Sequence, residues 1–123
     1  GNATDFGDLQ EANQLLAGCS NSTRGLFAGG YTGSNTNKIQ YITIASTGNA
    51  TDFGDLVLTR RTLAGSSSST RGVFSGGTTT GSDRKNDMDY VTIASTGNAS
   101  NFGDLTRSGY GLGGTSSGHG GLS

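Results

Sequence analysis

The 123 residues predict an all-β fold assembled from tandem four-stranded sheets, and three observations carry that prediction. The chain repeats itself with offsets of 47 and 49 residues, each repeat holds four short extended segments, and glycine, serine and threonine make up 46% of the residues. There is no proline and no tryptophan. No segment sustains a 3.6-residue apolar periodicity in helix-forming residues, so no helix is expected. Leu, Ile, Val and Phe amount to 18%, under the roughly 20% below which chains tend to stay disordered, but disorder also expects high net charge and this chain carries only −1.

The repeat orders everything else. GNATDFGDL at Gly1–Leu9 recurs unchanged at Gly48–Leu56 and returns as GNASNFGDL at Gly97–Leu105. A second block reads LAGCSNSTRGLFAGG from Leu16, LAGSSSSTRGVFSGG from Leu63 and GLGGTSSGHGGLS from Gly111. A third reads IQYITIAST up to Thr47 and MDYVTIAST up to Thr96. A fixed period of this length marks solenoids, propellers or arrays.

Each predicted strand has its own reason. The LAG segments at 16–18 and 63–65 are short apolar starts. RGLFAGG (24–30) and RGVFSGG (71–77) are apolar runs closed by paired glycines, which fit where backbones crowd together. KIQYITIA (38–45) and its equivalent Asp89–Ala94 are rich in β-branched and aromatic residues, as a mostly buried strand requires. DFGDL at 5–9 and 52–56, with the variant NFGDL at 101–105, supplies the fourth. The Gly, Ser, Asn and Thr between them satisfy turn backbones locally.

Four strands in 47 to 49 residues is the period of a propeller blade. The chain then divides into a closing strand (1–9), a blade (10–56), a second blade (57–105) and a partial blade (106–123), an arc of about 2.5 blades. The double glycines Gly29-Gly30 and Gly76-Gly77 follow an apolar strand, Tyr41 or Tyr90 stands in the next, Phe53 or Phe102 follows, and an Arg-containing link, Arg60-Arg61 or Arg107, leads onward. In this the chain resembles kelch-type repeats over its whole length, particularly the Gly/Ser/Thr-rich kind carried by bacteriophage virion proteins of tail-fibre type. It departs from them in three ways: Phe stands where kelch blades usually have Trp, the spacing from Tyr to that aromatic is longer, and the link 10–15 has no Arg. The resemblance implies a β-propeller with a structural or recognition role, located in a virion or on an extracellular surface.

Propellers close with about four to eight blades, and closure is what protects strand edges. An arc of about 2.5 blades is therefore expected to self-associate into a ring, as a homo-oligomer, or to be completed by the rest of a longer chain. Two copies correspond to about five or six blades and three to about eight. A simple head-to-tail ring would leave the shared blade without its third strand.

Composition excludes several functions. No run approaches the roughly 18 apolar residues of a membrane span, the first residues lack the basic and apolar regions of a signal peptide, and near-neutral charge argues against nucleic acid as a partner. No cofactor or metal is expected, because one cysteine (Cys19) and one histidine (His119) can build neither an internal disulfide nor a zinc site. Cys19 aligns with Ser66 and Thr115, which marks a small-residue slot. His119 lies in a Gly-rich tail, so no catalytic residue is assigned and the chain is not expected to be an enzyme. Gly29–Gly33 and Gly111–Gly114 lack the following helix and lysine of phosphate loops. The triplets Asn2/Asp5/Asp8 and Asn49/Asp52/Asp55 invite a calcium reading, but residues three apart in an extended segment point to opposite faces, and the third copy, Asn98/Asn101/Asp104, loses a charge. The preferred account is structural. Asn98 and its equivalents cap a turn, while Asp8, Asp55 and Asp104 pair with Arg24 or Arg71 across strands. The N-x-[ST] sequons at Asn2, Asn21, Asn49 and Asn98 read as turn chemistry for the same reason.

The repeat treats its two ends differently. The one-to-two and three-to-four turns are nearly identical between copies, whereas the two-to-three loops (YTGSNTN, TTTGSDRKN) and the blade-to-blade links (QEANQL, VLTRRT, TRSGYG) vary. Variable loops on a rigid scaffold are where recognition usually lives, so Tyr31, Lys38, Arg60, Arg61, Arg84, Lys85 and Tyr110 are the candidate ligand contacts. A glycan is the first ligand to test, because aromatic faces and mixed polar donors suit sugars. The rival expectation is a bare self-assembling scaffold or fragment with no ligand.

Overall fold

A computed structural model describes residues 1–114. Eight strands and no helix occur among them: β1 (Ala17–Ser20), β2 (Arg24–Ala28), β3 (Lys38–Thr43), β4 (Thr51–Asp55), β5 (Ala64–Ser67), β6 (Arg71–Ser75), β7 (Lys85–Thr92) and β8 (Ser100–Gly109). They form two four-stranded antiparallel sheets in the orders β1-β2-β3-β4 and β5-β6-β7-β8. The two sheets share one register. Ile39 faces Gly54 and Gln40 faces Asp52, with a shift between them, and Met88 faces Gly103 and Asp89 faces Asn101 with the same shift.

Two boundaries differ from the sequence reading. Asp5–Leu9, expected to be a strand, belongs to no sheet, because no described segment offers it the neighbour that β3 and β7 give to β4 and β8. It is held instead against the next turn: the amides of Gly48 and Ala50 donate to the carbonyls of Phe6 and Asp8, both at 2.8 Å, and Asp8 N–H donates to Asn49 Oδ1 at 2.9 Å. β8 runs past Leu105 to Gly109, since β7 begins early enough for Lys85 to pair with Gly109.

One hydrophobic core joins the two sheets. It is built from Leu26, Ala28, Ile39, Phe53 and Leu56 of the first repeat with Leu63, Phe74, Val91 and Ile93 of the second. Alternation along the strands explains the membership. Leu26 and Ala28 stand opposite Tyr41 and Ile39 on one face of the first sheet, whereas Phe74 and Val91 stand opposite Asp89 and Gly72 on the other face of the second. The sheets thus meet front to back. Each fully buried large apolar side chain contributes about 1.5–3 kcal/mol.

The sheets come closest at their first strands, β1 against β5, and β4 and β8 form no comparable contact. Glycine permits this approach. A Cβ on Gly65 would collide with the carbonyl of Gly18, and one on Gly114 would collide with the carbonyl of Gly65. A hydrogen-bonded file runs beside it, with Thr62 N–H donating to Leu15 O at 2.9 Å and Gly111 N–H to Thr62 O at 2.8 Å. All three residues of that file hold left-handed backbone, with φ of 62° at Leu15, 55° at Thr62 and 65° at Gly111. Three successive repeats are therefore stacked by one rule.

Candidate functional site

The variable loops and links come together at one end of the sheets. Gln14 and Tyr31 exchange backbone hydrogen bonds at 3.2 and 2.8 Å, and Arg61 and Thr78 do the same at 3.1 and 3.0 Å. The link that enters each sheet thus lies beside that sheet's two-to-three loop. The link to the next repeat lies on the loop's other side, where Gly30 N–H donates to Arg60 O at 2.9 Å and Gly77 N–H to Gly109 O at 2.8 Å, so side chains of each loop and the following link meet in pairs.

Two such pairs are Arg–Tyr stacks. The Arg61 guanidinium lies 5.0 Å from the Tyr31 ring centre and that of Arg84 lies 5.1 Å from Tyr110. Cation–π contacts of this kind contribute about 0.5–1 kcal/mol at exposed sites. Arg61 also donates to Asn35 Oδ1 at 3.2 Å, and Asn35 Nδ2 donates to the carbonyl of Thr79 at 2.7 Å, which ties the two loops to each other. The lysines are engaged separately. Lys38 pairs with Glu11, whose hydrogen bond and charge raise the ammonium above its ordinary pKa, with help from Asp52 and Asp55. Lys85 lies 3.0 Å from Asp83. The hydroxyl of Thr79 and the Lys85 ammonium together hold the Asp83 carboxyl below the usual carboxylate range.

An open cleft of about 290 Å³ adjoins the first stack, lined by Ala12, Asn13, Gln14, Tyr31, Thr32 and Gly33. Asn13, Gln14 and Asn35 belong to this region although the sequence reading left them out. The 47-residue offset could have found the first two, since it aligns Asn13 and Gln14 with Arg60 and Arg61.

Arg60 is the clear correction among the seven candidate contacts. It is fully buried and cannot touch a ligand. Its guanidinium donates to the carbonyls of Gly76 (2.7 Å), Asp87 (2.9 Å) and Phe74 (3.2 Å) and pairs with the buried Asp89 at 2.9 Å. The physical reason is the backbone turn at the second strand's paired glycines, which leaves inward carbonyls that need donors. Asn13 does the equivalent work in the first sheet, donating to Gly29 O at 2.9 Å.

The expected Asp–Arg pairs are not formed either. Among the described residues no ion pair joins Asp8, Asp55 or Asp104 to Arg24 or Arg71. Register forbids them. Asp55 stands opposite Lys38 at one end of its sheet, while Arg24 stands opposite Thr43 at the other. Arg24 and Arg71 instead cover the rings of Tyr41 and Tyr90 at 4.5 and 4.7 Å, and those rings meet Phe53 and Phe102 edge to face. Arg24 also donates to the carbonyl of Ile93 at 2.8 Å, across the sheet interface.

The asparagines do cap backbone, though not all in the expected place. Asn21 Oδ1 accepts from the amides of Thr23 and Arg24 in its own turn. Asn49 and Asn98 reach further, accepting from Asp8 N–H at 2.9 Å and Asp55 N–H at 3.0 Å in the neighbouring repeat. Cys19 is packed between the sheets, where burial pushes its thiol up to about 12, so it is poorly reactive at neutral pH. His119 lies outside the described residues. Among the described residues no cluster of three or more His, Cys, Asp or Glu is arranged to hold a metal ion, and no helix is long and apolar enough to cross a membrane. Neither the protein-family models nor the curated proteins contain a match to this chain.

Proposed function

We propose that the chain is a non-enzymatic structural and recognition module of β-propeller type, whose sheets are blades and whose circle is completed by further copies of itself. One observation carries the reading: the stacking rule at the first strands, Gly18 to Gly65 to Gly114, is applied twice in succession. Sheets that touch along their first strands and part towards their fourth strands fan about a common edge, which is how blades are placed. The kelch-type resemblance agrees with it and adds a fibre or surface appendage as the setting.

Recognition is assigned to the end that carries the Arg61–Tyr31 and Arg84–Tyr110 stacks and the open cleft between Tyr31 and the first link. Sugars are the class proposed, through ring faces and the surrounding amide and hydroxyl groups. A glycan array on the parent protein and on Arg61→Ala and Tyr110→Ala tests this, with binding by the parent and its loss in both variants expected. An array on which the parent binds nothing would sink the recognition half. The second reading, a scaffold without a ligand, is favoured by one feature: each tyrosine already has a guanidinium over its ring.

A further inference from the structure

Two short motifs clasp each other wherever consecutive repeats meet. In the first clasp, Gly48 N–H donates to Phe6 O, Ala50 N–H donates to Asp8 O, and Asp8 N–H donates to Asn49 Oδ1. In the second, Gly97 N–H donates to Phe53 O at 2.7 Å, Ala99 N–H donates to Asp55 O at 2.8 Å, and Asp55 N–H donates to Asn98 Oδ1 at 3.0 Å. Phe-Gly-Asp of one repeat therefore takes up Gly-Asn-Ala of the next, by the same three hydrogen bonds. The middle glycine is required, because a Cβ on Gly7 or Gly54 would strike the carbonyl of Gly48 or Gly97, and both hold φ near the same value, 147° and 148°.

The chain contains three copies of each motif, but among the described residues only two clasps are formed. Phe102-Gly103-Asp104 has the same register against β7 that Phe53-Gly54-Asp55 has against β3, and Gly103 holds the same φ of 147°. Yet the nearest atom to a Cβ built there is Met88 Cε at 3.9 Å, and no turn among the described residues meets this strip. Phe102 is exposed in consequence. Gly1, Asn2 and Ala3 are likewise exposed, whereas Ala50 is buried and Ala99 packs against the core. Among the described residues, one half of the clasp stands open at each end of the array.

We propose that Gly1-Asn2-Ala3 of a second copy occupies the Phe102-Gly103-Asp104 strip of the first. The inference rests on the ring reading above and names the contact that makes the ring. Link 10–16 follows the first Phe-Gly-Asp as residues 106–112 follow the third, so the two ends of the array carry complementary halves of one motif pair. The clasp would bring the second copy's Asp5–Leu9 to the fourth-strand position of the next sheet, where Gly114 already marks the first strand by stacking on Gly65. The contact joins unlike surfaces, so it propagates head to tail and either closes or extends.

Native mass spectrometry and light scattering of the 123-residue chain over a concentration series test the clasp. The parent is expected to form discrete oligomers. Asn2→Ala combined with Ala3→Glu should shift the association midpoint upward by roughly tenfold or more, since it removes a hydrogen bond and places a charge in the contact. Both residues are exposed and make no hydrogen bond among the described residues, so circular dichroism and the melting of the dissociated chain should not change. Phe102→Asp should weaken association from the other side, and a free GNATDFGDL peptide should compete for the strip. Oligomers that ignore all three perturbations would overturn the clasp and leave the ring reading standing on another surface. A parent chain that is folded and monomeric throughout would overturn both.

Discussion

The sheets β1–β4 and β5–β8 have the same register and the same Arg–Tyr–Phe stack, yet they bury opposite faces. Phe53 is 3% exposed and its equivalent Phe102 is 49% exposed, while Ile44 is 45% exposed and its equivalent Ile93 is fully buried. The local sequence around each pair is nearly identical. Burial in this molecule is therefore a property of having a neighbour on a given side, and a repeat acquires its core only when another repeat is laid against it.

The largest test of that difference is a pair of truncations. Phe53→Ala is expected to destabilise the chain by about 3–5 kcal/mol, as core Phe→Ala substitutions do, whereas Phe102→Ala should stay within about 0.5 kcal/mol when unfolding is followed below the association range. Urea midpoints of the two variants give the answer directly, and similar losses at both sites would mean that Phe102 is already covered. Arg60 and Asn13 make the second comparison. Arg60→Ala leaves Asp89 buried and unpaired and should cost about 3–5 kcal/mol, against about 1–2 kcal/mol for Asn13→Ala, which loses hydrogen bonds at a partly buried site.

A pH series sharpens the interface between the sheets. The Cys19 thiol ionises near 12 in the folded chain against an ordinary value near 9. Between those values the unfolded chain releases a proton that the native chain keeps, so stability is intact below pH 9 and falls as pH rises, by about 1 kcal/mol per unit. Measuring the parent against Cys19→Ser isolates this contribution, and a parent whose pH dependence matches the variant's would show the thiol to be open to water. The smallest expected effect separates the clasps. Asn49→Ala should cost about 0.5–1 kcal/mol through its lost hydrogen bond to Asp8, and Asn2→Ala nothing measurable in the dissociated chain.

Much of this was legible in advance. The strand count per repeat, the absence of helix among the described residues and the grouping of links with two-to-three loops follow from periodicity and turn chemistry, which are local. Of the recognition candidates, Tyr31, Arg61, Arg84 and Tyr110 do fall together in pairs, because the repeat alone places links beside loops. Arg60 was misread because a charged residue in a polar link gives no local sign that three carbonyls and a carboxylate converge on it. Asp55 and Arg24 were misread for a related reason: both belong to one sheet, but register puts them at opposite ends of it.

By itself the amino-acid sequence determined the repeating unit, the strands within it and the glycines at its crowded points, since these depend on side-chain alternation and backbone freedom over a few residues. Only the tertiary structure decided which face of each sheet is buried, which polar groups are satisfied inside, and that Gly-Asn-Ala of one repeat is held by Phe-Gly-Asp of the one before it. Those are contacts between residues tens of positions apart, and identical repeats cannot encode which of them will have a neighbour.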